Sequence, residues 1–147
     1  MRIAVTAVVA AGTFGVASPL SAQRHDTDTL ASAVVQRFVD AANARDIPAM
    51  MVTVAPEAVF SVLPSGEILG AGQDSIRGFY DAIFARLAPG FSVEIAHRIH
   101  DGGFVVDHEV FRNAKGRAPI GRATWVYWVT GGLIRRAWTL KATPAAP

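Results

Sequence analysis

Along this chain the apolar residues recur mainly at helical spacing in the first part, interrupted by one strand-like run, and at strand spacing from Phe91 onward. Leu30, Val34, Val35, Phe38, Val39 and Ala42 recur at helical spacing with Gln36, Arg37, Asp40 and Asn43 opposite them, so the pattern predicts a helix that buries one face. Asp26-Thr27-Asp28-Thr29 supplies its N-cap candidates. Asp46 reads as a second cap, with Pro48 in the first turn of a short helix through Met50, Met51 and Val54 that Pro56 ends. Val59 to Leu63 is a β-branched and aromatic run closed by Pro64-Ser65-Gly66, which predicts a strand and a turn. Ile76, Phe79, Tyr80, Ile83, Phe84 and Leu87 then predict a third helix from Gln73 or Asp74, stopped by Pro89-Gly90. Gly78 inside it costs about 1 kcal/mol relative to Ala, which suggests a close backbone approach.

From Phe91 onward the helical period is gone. Phe91 to His100, Phe104 to Arg112, Arg122 to Val129 and Leu133 to Leu140 are strand candidates joined by glycine-containing turns, an antiparallel meander. Helix, helix, strand, helix and then consecutive strands is an α+β order, because a parallel sheet would need helices between the later strands. The expected architecture is a curved antiparallel sheet with a helical layer on one face.

Composition narrows the function classes. With 147 residues, 51% hydrophobic and 18% charged, the chain fits one globular domain with a substantial core. Net charge is +2 and no basic run is interleaved with aromatics, so nucleic acid is not an expected partner. The absence of cysteine excludes disulfides, thiol catalysis and thiolate metal sites. Arg2 precedes an apolar run from Ile3 to Ala17, and Ser18-Pro19-Leu20-Ser21-Ala22 follows as a breaker with a small residue at the cut. This predicts a signal peptide over 1–22, removed after Ala22, and an exported protein, periplasmic or secreted, with no membrane association after cleavage. The apolar run is shorter than the roughly 20 residues a spanning helix needs. The domain then occupies 23–142 and a flexible tail 143–147.

Candidate chemistry gathers on Phe104-Val105-Val106-Asp107-His108-Glu109-Val110-Phe111. In a strand, Val105, Asp107, Glu109 and Phe111 share one face, and Phe104, Val106, His108 and Val110 the other. The preceding hairpin decides what meets them. A two-residue turn at Asp101-Gly102 sets Ile95 opposite His108 and His97 opposite Val106, leaving His108 in the core. A three-residue loop Asp101-Gly102-Gly103 instead sets His97 opposite Asp107 and Ile95 opposite Glu109. Alternatively, Asp107 and Glu109 lie on a solvated face, paired with Arg98 or Arg122. His97, His100 and His108 have no compact ligand spacing, so no metal is expected, and no cofactor motif is present.

Arg37-Phe38-Val39-Asp40-Ala41-Ala42-Asn43-Ala44-Arg45-Asp46, Ala55-Pro56-Glu57-Ala58-Val59-Phe60, Gly72 with Ile76 and Phe79-Tyr80, Asp101-Gly102 with Val105-Val106, and Gly132-Leu133-Ile134 give the chain a specific resemblance. It resembles the SnoaL-like members of the nuclear transport factor 2-like superfamily, which also holds ketosteroid isomerases and limonene epoxide hydrolases. The resemblance implies a cone-shaped α+β fold with a pocket between the helices and the concave sheet face, lined by Phe38, Leu63, Tyr80, Val105, Phe111, Trp125 and Tyr127 and suited to a small hydrophobic molecule. It also shows that the isomerase set is missing. The tyrosine, general-base aspartate and protonated aspartate of those enzymes fall on Phe38, Leu63 and near Trp125, none of which can do their work. The limonene hydrolases carry an Asp-Arg-Asp set in this region, for which the chain offers Asp107 and Glu109 with no arginine in the expected place.

The family pattern of an inward valine after the Asp-Gly turn favours Val105, Asp107 and Glu109 inward. On that basis the expected catalytic group is Asp107, His97 and Glu109, in which two nearby carboxyls in a partly apolar pocket drive at least one pKa upward. Proton transfer or water addition on a small apolar substrate is the first reading. A non-catalytic ligand-binding or dimerisation domain of the same fold is the second. Trp128 or Trp138 on the uncovered sheet face would form a homodimer patch.

Overall fold

Asp46 shows how closely local chemistry dictates the first turns. Its side chain accepts a 2.9 Å hydrogen bond from the Ala49 backbone N–H, capping a helix whose early Pro48 has no N–H to lose. The computed structural model describes residues 19–114 and 116–144, with side chains over 26–114 and 116–140. The elements are α1 (Pro19–Ala44), α2 (Ile47–Val52), β1 (Val54–Leu63), β2 (Ile68–Ala71), α3 (Gln73–Phe84), β3 (Ser92–Asp101), β4 (Phe104–Arg112), β5 (Gly121–Thr130) and β6 (Leu133–Pro144). The expected leader lies outside the described residues over 1–18, and the expected tail does so over 145–147.

The fold is α+β, with a six-stranded curved, unclosed sheet in the order β2-β1-β6-β5-β4-β3. The β3 to β6 meander is antiparallel throughout, but β6 also pairs with β1 in parallel, so the sheet is mixed rather than wholly antiparallel. The parallel pair arises because the last strand inserts between β5 and the strand made earlier in the chain. Pro56 does not end a helix as expected; it sits within β1 where the β1–β6 register is interrupted between Val54 and Val59, a position that needs no ladder N–H. β2 was not expected from the sequence, being four residues long and containing Gly70. β6 runs through Thr143 and Pro144, which pair with Arg122 and Gly121, so the sheet continues into the segment expected as tail.

Two helix expectations change in detail. α1 starts at Pro19 rather than near Asp26, because from Leu20 to Ala44 no proline or glycine interrupts it and Pro19 suits a first turn. Leu30, expected on the buried face, is exposed, whereas Ala31, Val34, Val35, Phe38, Val39 and Ala41 are buried. At Gly78 an added Cβ would meet nothing within 4 Å, so no close approach explains this glycine. The core packs α1 and α3 onto the concave face, where Phe38 makes edge-to-face contacts with Phe60, Tyr80 and Tyr127 at centroid separations of 5.9, 5.7 and 6.0 Å.

The β3–β4 hairpin takes neither of the two expected forms. Its turn is Gly102-Gly103, with Asp101 opposite Phe104 and Gly102 at φ 60°, the first-position glycine of a tight hairpin turn. Farther along, the register shifts between Ile95 and His97, leaving Ala96 as an extra residue. Ile95 therefore does face Glu109, but Arg98 faces Asp107 and His97 faces His108. The Gly102-Gly103 turn thus puts a guanidinium in place of the expected imidazole opposite the buried carboxylate, and the Ala96 bulge beyond it returns Ile95 to Glu109.

Candidate active site

β4 delivers two acids to the interior. Asp107 is 0% exposed and Glu109 5%, and both point to the concave face with Val105. The two carboxyls have different surroundings. Asp107 receives a two-point hydrogen bond from Arg98, whose Nε and Nη2 donate to Oδ1 and Oδ2 at 2.6 Å each. Arg98 Nη1 also donates to Gln36 Oε1 at 2.9 Å and to the Ser32 carbonyl at 3.3 Å, which ties the pair to α1. The bond to Asp107 holds the guanidinium more firmly protonated.

Glu109 has no such partner. Its Oε1 accepts one long hydrogen bond, 3.5 Å, from the Tyr127 hydroxyl. Burial first, and the Asp107 charge second, push its pKa up from 4.5 to about 8, while the bond from Tyr127 and the charge of Arg98 oppose the rise. At neutral pH Glu109 is therefore mostly a neutral carboxylic acid, able to donate a proton. Burial and the nearby Glu109 charge also raise Tyr80 and Tyr127, which keeps both phenols protonated.

Glu109 lines a cavity of about 270 Å³ between α1, α3 and the sheet. Its walls are apolar and aromatic: Phe38, Phe79, Tyr80, Phe84, Phe91, Phe111, Trp125 and Tyr127 take part. Phe79, Ile83, Phe84 and Leu87, which read as helix core in the sequence, are only half-buried because they face this cavity. Asn43 also lines it, but its amide is engaged by Val93, donating to the Val93 carbonyl at 2.9 Å and accepting from its N–H at 2.8 Å.

Of the residues expected at the site, Phe38, Tyr80, Glu109, Phe111, Trp125 and Tyr127 line this cavity together. Asp107 stands behind Glu109 and is not part of the wall. His97 is set by the Gly102-Gly103 turn opposite His108 on the outer face, where it is exposed and stacks on His108 at a centroid distance of 6.1 Å. Val105 is fully buried core next to Tyr127 rather than cavity wall. Leu63 ends β1 opposite Leu140, is 39% exposed, and borders a neighbouring cleft with Pro64 and Ser65. Arg98 entered the sequence reading only as a surface partner; the hairpin register was the missing signal. Among the described residues no cluster of three or more His, Asp or Glu is placed to hold a metal.

A curved, unclosed six-stranded sheet packed against helices in this order is the nuclear transport factor 2-like architecture. Within it, the chain belongs to the SnoaL-like domain family, whose model matches residues 35–137. Among solved structures it is similar to an uncharacterized cystatin-fold protein from Novosphingobium aromaticivorans (20% identity, 76% of this chain and 97% of that one, TM-score 0.65). It is likewise similar to an NTF2-like protein of unknown function from Mesorhizobium loti (21%, 78% and 93%, 0.63). An LEH-like epoxide hydrolase from M. tuberculosis aligns comparably (18%, 77% and 83%, 0.63). At these identities the likeness shows the fold alone. A search of curated proteins finds no match.

Proposed function

We propose that this SnoaL-like domain binds a small, flat, hydrophobic molecule and catalyses proton transfer or water addition on it, with Glu109 as the acid and base. The observation that supports this is that Glu109 is, among the described residues, the one carboxyl in the wall of a largely apolar, aromatic cavity, poised near neutrality by burial and by Asp107. Tyr127, already a donor to Glu109, would orient the carboxyl. Asp107 and Arg98 would act from behind it as a fixed ion pair. That an epoxide hydrolase-like protein shares the fold is compatible with acid-assisted opening of a neutral substrate. The test is a panel of small neutral ketones, esters and epoxides, followed by solvent-deuterium exchange at carbon and by hydrolysis. If ligands bind and raise the melting temperature but none reacts, the non-catalytic binding reading replaces this one.

Export belongs to the same proposal and rests on the charged, apolar and small-residue pattern of 1–22. Among the described residues no helix is long and apolar enough to cross a membrane.

A homodimer is proposed through the outer sheet face. By register, Ile99, Phe104, Val106, Val126, Trp128, Trp138 and Leu140 share that face, with Phe104 and Trp128 stacked at 6.4 Å and both substantially exposed. Light scattering behind gel filtration should report a dimer at micromolar concentration and a monomer for Trp128→Arg. A monomeric wild type would sink the dimer.

A further inference from the structure

The turn at Gly102-Gly103 has a consequence for the site that rests on reading Glu109 as its acid and base. Counting back from Asp101 opposite Phe104, uninterrupted pairing through His100 and Ile99 sets Arg98 opposite Asp107, where it meets the carboxylate in two-point geometry; the Ala96 bulge lies beyond this pair and sets Ile95 opposite Glu109. The guanidinium is anchored on its far side by Gln36 and the Ser32 carbonyl of α1, so it is held between helix and strand. We propose that Arg98 is a positioning residue: by neutralising Asp107 from across the hairpin, it leaves Glu109 as the one group of the site that exchanges a proton with a ligand.

The physical reason is the spacing along β4. Asp107 and Glu109 are two apart, on one face, and both are buried. Two carboxylates there repel, and deprotonating Glu109 next to an uncompensated Asp107 is harder than next to an Asp107–Arg98 pair. Other titratable groups near Glu109 are Tyr80 from α3 and Tyr127 from β5; among the described residues no titratable side chain of α1 lines the cavity. On the outer side, His97, His108 and Arg122 border the hollow that Glu109 also touches. All of these stay unchanged in the variants that test the idea.

The experiment follows the Glu109 carboxyl carbon by NMR from about pH 4 to about pH 10 in the full domain. Wild type should titrate near 8. Arg98→Gln should move the midpoint up, and Asp107→Asn should move it down, each by about one pH unit, while Arg98→Gln/Asp107→Asn returns it toward wild type. Arg98→Lys should rescue most of the Arg98→Gln shift, since it restores the charge. Opposite shifts from the two single variants are the signature, because a purely structural disturbance has no reason to change sign with the charge removed. If Arg98→Gln does not fold, Asp107→Asn and the double variant still read the two halves. Shifts of the same sign, or none, overturn the role of Arg98. A wild-type midpoint at ordinary carboxylate values would instead remove Glu109 from the chemistry.

Discussion

Glu109→Gln is expected to cut turnover of any substrate of this site by about 100-fold or more, the scale of a lost general acid or base. It is also expected to flatten the dependence of stability on pH. Glu109 has a folded pKa raised from 4.5 to about 8, so the folded protein keeps a proton that the unfolded chain releases. The stability this provides is complete below about pH 4.5 and drains away as the pH climbs through about 8, where the buried carboxylate is forced to ionise. At about 1.4 kcal/mol for each pH unit of displacement, the change across that window is at most about 5 kcal/mol. Urea unfolding at about pH 5 and about pH 9 measures it. Wild type should lose several kcal/mol between the two, and Glu109→Gln should lose much less. Equal losses in the two proteins would mean that Glu109 is not buried as an acid.

The fold was legible because its strongest signals are periodic. The apolar positions of α3 and the β4 alternation survive in the structure, since a helix stripe and a strand face are each fixed by local geometry. What the sequence left out was set by contacts distant along the chain. β2 is too short to announce itself and exists because it edges β1, with Gly70 allowing Ile76 of α3 to sit so close that an added Cβ would lie 2.9 Å from its backbone. The parallel β1–β6 pair likewise depends on where the last strand finds room.

The site was half legible, for a reason that sits in one hairpin. Burial of Asp107 and Glu109 follows from the alternation of β4 and the apolar residues flanking them. Which residue of β3 meets Asp107 depends on the turn at Gly102-Gly103, and alternation cannot show where a turn falls. A slip of one residue replaced His97 with Arg98, turning an expected acid-imidazole pair into an ion pair and leaving Glu109 as the carboxyl without a counter-charge. Leu63 failed as a pocket residue for a similar reason: the end of β1 carries it past the cavity to the rim beside Pro64. The aromatic wall contributed by α3 read as core because a cavity-facing stripe and a core-facing stripe have the same spacing.

The Asp107–Arg98 pair sets the second large expectation. Arg98→Ala should destabilise the domain by about 3–5 kcal/mol, because it leaves a fully buried carboxylate without its counter-charge. Removing both charges together, as in Arg98→Met/Asp107→Leu, should cost far less, since apolar side chains of similar size meet no desolvation penalty there. The pair is exposed enough at its arginine end, 17% of the side chain, for the lower part of the range to be the better guide. Urea melts of the single and double variants at neutral pH measure the coupling. If Arg98→Ala costs under about 1 kcal/mol, the ion pair behaves as a surface pair. A large loss in the single variant with recovery in the double would instead mean that the pair is retained for its charge beside Glu109, because stability alone would be served as well by an apolar core.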